Sequence, residues 1–228
     1  MEIRFLGHAC FELTDGSDTV LIDPFLSGNP KAAIAADDAA ATTILLVLAS
    51  VAGALVWRTN VVSIAKRTGA PVVAIVELAG EIGGEGADTH DPNLGGTVKF
   101  DWGWVKLVPA WHTSTTPKGT VNTPAGLVVN FHDTIVYHLG DTCLFSDLQL
   151  VGKRTPIDVA LMCIGGHYTM DPTDAVDAAQ LVGASTVIPC HYNTFPAIEV
   201  DAQAFKSDVE SATRSDVVVL EPGETHSV

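Results

Sequence analysis

The N-terminal part of the chain alternates short apolar runs with turn residues, a pattern that predicts β-strands. Residues 2–6 and 10–13 form two such runs, and residues 20–22 form a third that ends at Asp23. The turn signal Asp15-Gly16-Ser17 lies between the second run and the third. The pattern therefore predicts that the chain opens with a hairpin.

Longer apolar segments and alternating segments follow in two blocks. In the first block the predicted elements are buried strands at 44–48 and 71–76 and helices at 61–68 and 77–82. The second block begins with the alternating segments VKFDWG, WVKLVPAWH, GLVVNF and TIVYHLGD, which predict antiparallel strands. It ends with predicted strands at 156–162, 186–189 and 217–220 and predicted helices at 172–182 and 201–213. This order predicts an α/β fold with helices outside two sheets rather than one doubly wound parallel sheet.

Composition narrows the class of protein and of partner. The chain has 228 residues, of which 47% are hydrophobic, so we expect a single domain over residues 1–228. Its formal net charge is -15 and it has no basic run, which argues against nucleic acid and anionic membranes as partners. The four cysteines form no C-x-x-C pair, and the first residues show no basic segment followed by a long apolar one, so we expect no signal peptide. We therefore expect buried, reduced thiols in a cytoplasmic protein.

Several polar side chains directly follow predicted strands, where α/β folds place ligand groups. They are His8, Asp23, His112, Asp141, His167 and His191. Each alone has an ordinary structural explanation, because a single histidine is usually a satisfied structural residue and a strand-end aspartate usually caps a turn. Together, imidazoles and carboxylates on separate rigid strands are what a catalytic metal site requires. The sequence therefore predicts such a site if these strand ends converge.

Six segments of the chain together resemble the metallo-β-lactamase superfamily. They are IRFLGHACFEL, VLIDPFLSGNP, VKLVPAWHTS, VYHLGDT, LMCIGGHYTMDPTDA and IPCHYNTFP. More narrowly, the chain resembles the branch of small metal-dependent hydrolases related to ascorbate-phosphate lactonases. The resemblance implies a four-layer αβ/βα sandwich of two mixed sheets with helices outside. It also implies a metal site at one edge, between the sheets.

The resemblance implies three metal ligands in this sequence, and a carboxylate with a catalytic role. His112 matches a ligand of the first metal, Asp141 the catalytic carboxylate that bridges two metals, and His191 the last ligand of the second. The implied cofactor is one or two divalent ions, zinc in the first place, with manganese and iron as alternatives.

Four further residues receive supporting roles from the same resemblance. Asp23 matches an aspartate that braces the metal loop. His8, His167 and Asn193 lie in segments that the branch places near the pocket, so we expect them to support the metal site or contact substrate.

The resemblance fails at its most characteristic motif. The superfamily carries H-x-H-x-D-H after the strand predicted at 44–48, but here the segment is LASVAGALVWRTNVV, without His, Asp or Glu. Three explanations stay open: the chain is a metal-free relative, it binds one ion weakly through His112, Asp141 and His191, or the printed stretch differs from the natural chain. Residues 39–57 are also long and uncharged enough to be weighed as a membrane helix. Their many small residues favour a buried strand, a small-residue turn and the start of a helix instead.

Two functions follow as hypotheses. The first is a hydrolase of a small ester, lactone or phosphoester that uses a metal-activated water. The alternative is a non-catalytic, metal-deficient relative that binds a ligand or acts as a scaffold. In either case we expect a small-molecule partner, no nucleic acid and no membrane, with a homo-oligomer as a further expectation.

Overall fold

The computed structural model describes residues 1–47, 54–116 and 118–228, and the side chains of residues 54–57 lie outside that description. The strands of the first part of the chain are β1 (Glu2–Gly7), β2 (Cys10–Asp15), β3 (Asp18–Ile22), β4 (Thr43–Leu45), β5 (Val72–Val73) and β6 (Thr89–His90). The remaining strands are β7 (Thr97–Phe100), β8 (Gly103–Pro109), β9 (Ser114–Thr115), β10 (Val121–Asn122), β11 (Ala125–Phe131), β12 (Thr134–His138), β13 (Val159–Cys163), β14 (Thr186–Cys190), β15 (Asp216–Val217) and β16 (Thr225–Ser227). The α-helices of the described residues are α1 (Ala54–Thr68), α2 (Val76–Gly83), α3 (Leu148–Arg154), α4 (Pro172–Val182) and α5 (Ala202–Ala212).

Two large mixed sheets of similar design form the frame. The first has the order β16-β1-β2-β3-β4-β5-β6, antiparallel from β16 to β3 and parallel from β3 to β6. The second has the order β15-β14-β13-β12-β11-β8-β7, parallel from β15 to β12 and antiparallel from β12 to β7. The predicted α/β fold with two mixed sheets and helices is confirmed.

Alternation along the strands divides the core into two regions. Leu127 and Leu161 belong to a core region that they share with side chains of the first sheet such as Leu21. The next residues along the same strands, Val128 and Met162, belong to a second region shared with α3, α4 and α5. Successive residues of a strand point to opposite faces, so the second sheet is covered by the first sheet on one face and by helices on the other.

Most predicted elements are present, with differences at their ends. The helix predicted at 172–182 matches α4, where Asp171 accepts a hydrogen bond from the Asp174 N–H as N-cap. The strand predicted at 71–76 is shorter, because β5 ends at Val73 and α2 begins at Val76. The predicted burial of thiols is correct for three cysteines and wrong for Cys143, which is exposed.

The uncharged stretch, residues 39–57, differs most from the secondary structure predicted for it. The strand predicted at 44–48 is observed as β4, which ends at Leu45, and Leu48 lies outside the described residues, as does the predicted small-residue turn. The helix predicted at 61–68 begins earlier, at Ala54, because no glycine or proline interrupts residues 54–68. Among residues 1–47, 54–116 and 118–228, no helix has the length and apolar character required to cross a bilayer.

Two helical glycines offer a matched test of this packing. A Cβ atom on Gly152 of α3 would lie 1.9 Å from the carbonyl oxygen of Val182 at the end of α4, whereas a Cβ on Gly80 of α2 would meet nothing within 4 Å. We expect Gly152→Ala to lower the free energy of unfolding by about 1–3 kcal/mol. Gly80→Ala should raise it by about 0.5–1 kcal/mol, because alanine restricts the unfolded chain. Urea unfolding followed by circular dichroism measures both, and a Gly152→Ala protein as stable as the parent would contradict the close α3–α4 contact.

Candidate active site

Four of the predicted residues stand at the ends of strands from both sheets. His8 follows β1 and Asp23 follows β3, in the first sheet, while Asp141 and His191 follow β12 and β14 in the second. His8, Asp23 and His191 have positive φ values of 61°, 45° and 55°. Non-glycine residues rarely adopt this conformation, and those that do are often found at functional sites.

One glycine lets the two halves of the chain approach each other beside these residues. Gly140 precedes Asp141 and has a φ of 76°. A Cβ atom there would lie 2.6 Å from Cγ1 of Val47 and 2.8 Å from the carbonyl oxygen of Ala125. The absence of a side chain therefore allows the loop after β12 to contact the loop after β4.

A buried cluster of charged and polar groups lies where the strand ends meet. Nε2 of His191 lies 3.5 Å from Oδ2 of Asp141, with both side chains largely buried. The ring centroids of His8 and His191 are 4.1 Å apart, and Nδ1 of His8 lies 3.0 Å from the Thr194 hydroxyl. The backbone N–H of His191 also donates to the backbone carbonyl oxygen of His8 at 2.6 Å, and this bond links the two sheets directly.

The three side chains of this cluster differ in their preferred protonation. Burial alone would raise the pKa of Asp141, but His191, and to a smaller extent His8 and His112, hold it well below its usual range. Burial alone would lower the pKa of His191, but the Asp141 carboxylate outweighs it and raises that pKa. Burial, helped by His191, lowers the pKa of His8 to about 3. The cluster therefore favours an ionised Asp141 beside a cationic His191, with a neutral His8.

Asp23 holds the backbone at Leu45 and Val47, inside the uncharged stretch. Its Oδ1 accepts a hydrogen bond from the Val47 N–H at 2.9 Å, and its own N–H donates to the Leu45 carbonyl at 3.0 Å. Burial raises the pKa of Asp23, and the bond from Val47 opposes that rise. Asp23 is therefore bonded to the backbone on both sides of Leu46, and its role in bracing a metal loop stays a prediction.

His112 lies beside the cluster on a loop that is joined to two others. Its Nδ1 lies 2.7 Å from the Thr113 carbonyl oxygen and its Nε2 lies 3.0 Å from the Tyr168 carbonyl oxygen. The neighbouring Trp111 N–H donates to the Thr142 hydroxyl at 2.9 Å. The side chains of Trp111 and Tyr168, 64% and 56% exposed, thus stand on loops that border the site.

His167 and Asn193 lie outside the buried cluster. His167 is exposed, and its ring packs edge-on against Tyr168 with the centroids 4.5 Å apart. The Asn193 side chain accepts a hydrogen bond from the Val200 N–H at 2.8 Å, and its own N–H donates to the Ile198 carbonyl. The contacts of Asn193 therefore stabilise the loop that follows His191.

Two residues of the site were not among the sequence candidates. Thr194 contacts His8, and His138 of β12 lies wholly buried with Nε2 3.1 Å from the Ala9 carbonyl oxygen. The Gly140 N–H donates to Nδ1 of His138 at 3.0 Å, so this imidazole positions the turn before Asp141. Thr194 is part of the segment IPCHYNTFP quoted above. His138 lies at the end of an apolar strand, and the only sequence signal for it was that a polar residue stands in a run predicted to be buried.

Comparison with known proteins identifies the family. Residues 2–191 match the family model described as a beta-lactamase superfamily domain. The chain belongs to the beta-lactamase superfamily. A UPF0173 metal-dependent hydrolase of Pelotomaculum thermopropionicum is 43% identical over 230 residues, covering 99% of each chain. One of Thermus thermophilus is 44% identical over 206 residues, covering 90% of this chain and 89% of the relative.

The solved structures confirm the family resemblance at the level of the fold. Igni18, a metallo hydrolase from Ignicoccus hospitalis, superposes with a TM-score of 0.86 at 32% sequence identity. The alignment covers 99% of this chain and 97% of that one. The predicted membership in the metallo-β-lactamase superfamily, in its branch of small hydrolases, is therefore confirmed.

The superfamily implies a divalent metal; Asp141 offers it an ionised carboxylate, whereas His191 would have to lose its proton before it could act as a ligand. Asp141 supplies an ionised carboxylate beside His191, whose buried Nδ1 has no hydrogen-bond partner among the described residues. Both nitrogens of His112 face carbonyl oxygens. Within residues 1–47, 54–116 and 118–228, no three His, Cys, Asp or Glu side chains are arranged to hold an ion. Residues 48–53 and 117 contain none of these types, and neither does the wider segment 39–76.

The buried imidazole of His138 predicts a pH dependence of stability. Burial lowers its pKa from 6.5 to about 4, so the folded chain keeps it neutral while the unfolded chain protonates it below about pH 6.5. Its contribution to stability is present above pH 6.5 and is lost as the pH falls towards 4, by at most about 1.4 kcal/mol per pH unit. Urea unfolding at several pH values should show a shallower acid-side loss for His138→Gln than for the parent. His226→Gln, on the edge strand β16, controls for the loss of an imidazole, and identical pH profiles for the parent and His138→Gln would contradict the prediction.

Proposed function

We propose that this chain hydrolyses a small ester, lactone or phosphoester at the Asp141–His191 cluster. The observation that carries the proposal is the buried 3.5 Å pair of imidazole and carboxylate, at the edge where strand ends of both sheets meet. Relatives with 43% and 44% identity are metal-dependent hydrolases, which supports the same general reaction class for this chain. The proposed setting is the cytoplasm, and the proposed partner is a small-molecule substrate.

Asp141, His191 and His112 are the residues that would hold a divalent ion, with zinc proposed first and manganese or iron as alternatives. When bound, such an ion lowers the pKa of a water molecule and polarises the bond to be cleaved. His112 would have to release the carbonyl oxygen of Tyr168 to make Nε2 available. That requirement, together with a set of only three ligands, predicts weaker ion binding than in a complete site.

The other residues of the cluster would position the substrate. His8 is held by Thr194 through Nδ1, so its ring is fixed as a neutral hydrogen-bonding group beside His191. Trp111 and Tyr168 expose large aromatic faces on the loops next to His112. Such faces favour a substrate with a flat or apolar portion.

The alternative function is a non-catalytic relative that keeps the scaffold and binds a ligand. A specific observation favours it, since segment 39–76, the position of the H-x-H-x-D-H motif, contains no His, Cys, Asp or Glu. Without those ligands, loss of metal binding would leave the fold intact, because the core of both sheets is independent of them.

Metal analysis separates the two functions. We expect the purified chain, equilibrated with zinc, manganese or iron and then dialysed, to retain an ion and to hydrolyse nitrophenyl esters or phosphoesters. We expect the metal affinity of His112→Ala and of His191→Ala to fall by more than the roughly 10- to 100-fold that loss of a residue supporting a metal ligand costs. His226→Ala serves as the matched control, because His226 lies on β16 outside the cluster.

The outcomes of that experiment are decisive for the chain as printed. Elemental analysis that finds no retained metal in the parent would reject the hydrolase proposal and leave the non-catalytic function. Retained metal that disappears in His112→Ala and His191→Ala, but not in His226→Ala, would reject the alternative. Mass spectrometry of the peptide spanning residues 43–64 would establish whether the printed stretch is the natural one.

A further inference from the structure

A cavity on the helix-covered side of the second sheet shares no lining residue with the Asp141–His191 cluster. It has a volume of about 220 Å³ and lies between β8, β11 and α3. Its walls are mainly apolar and include Val108, Val128, Phe145, Leu150 and Val151. At roughly 30 Å³ per water-sized group, the cavity has room for about seven heavy atoms of a ligand.

The same cavity carries two cations without carboxylate partners. Lys106 of β8 and Arg154 at the end of α3 both line it. Neither forms an ion pair with an acidic side chain among the described residues. The acidic residue of the lining, Asp147, accepts a hydrogen bond from the Ser146 hydroxyl at 3.2 Å.

Two of the few cations of this chain line the same apolar cavity. Lysine and arginine together number only 12 against 27 acidic residues, so positive charge is scarce on this chain. Leu150, 49% exposed, adds an apolar edge to the opening of the cavity. An apolar interior beside two free cations is complementary to a ligand with an apolar body and an anionic end.

We propose that this cavity binds a small organic carboxylate, with a body of about six to eight carbons inside and the carboxylate between Lys106 and Arg154. The site is independent of the proposed hydrolase reaction and requires no metal. Binding would tie α3 to β8 and β11, because the ligand contacts all three elements.

Octanoate is the probe for this proposal, and 1-octanol is its uncharged counterpart. We expect isothermal titration calorimetry of the parent chain to show saturable octanoate binding with a Kd on the order of 1 mM or tighter. Octanol should bind more weakly because it cannot pair with either cation. Lys106→Gln and Arg154→Gln should each weaken octanoate binding by about fivefold. Lys153→Gln is the matched control, since Lys153 is adjacent in α3 and bonds to Gln149 instead.

Several outcomes would overturn the proposal. They are the absence of octanoate binding, equal binding of octanol, and octanoate affinities that are unchanged in both cation variants. Light scattering tests the competing occupant, a second copy of this chain. A dimer that Leu150→Asp dissociates would assign the cavity to self-association and would also overturn the proposal. Because metal content and hydrolysis are not measured, failure here leaves the proposed function untouched.

Discussion

The buried pair of Asp141 and His191 is the interaction on which the candidate site depends. A carboxylate and an imidazole that are removed from water stabilise each other's charged forms, and each alone would be costly to bury. The pair is fixed from outside by the backbone bond from His191 to His8, which joins the ends of β14 and β1. The side chain of His191 thus sets the charge of the site with Asp141, and its backbone N–H joins the two sheets.

The frame around that pair explains why a site forms at this edge. Each sheet changes from antiparallel to parallel pairing, so parallel strands end side by side and release their loops in one direction. Because Gly140 has no side chain, the loop after β12 can contact the loop after β4. His138 accepts a hydrogen bond from the Gly140 N–H and so holds the turn between β12 and Asp141. Asp23 then binds the backbone at Val47, which lies inside the uncharged stretch and is the last described residue before position 54.

Much of the fold and part of the site followed from the sequence. Alternation and helix signals predicted both sheets and α4, because local patterns are preserved in long elements with clear caps. The short strands β5 and β15 were overestimated, because their ends are set by neighbouring strands rather than by their own residues. His138 was missed because its role arises from contacts with Ala9 and Gly140, of which the first is far away in the chain.

The sequence by itself determined the family, the residue types available at the strand ends, and the lack of ligands in segment 39–76. These are properties of residue order, which no folding event changes. Only the tertiary structure decided which candidates meet. It paired Asp141 with His191 and His8, left His167 exposed and used the side chain of Asn193 to close a loop. Those distances depend on how two distant halves of the chain pack, and spacing along the chain carries no information about that packing.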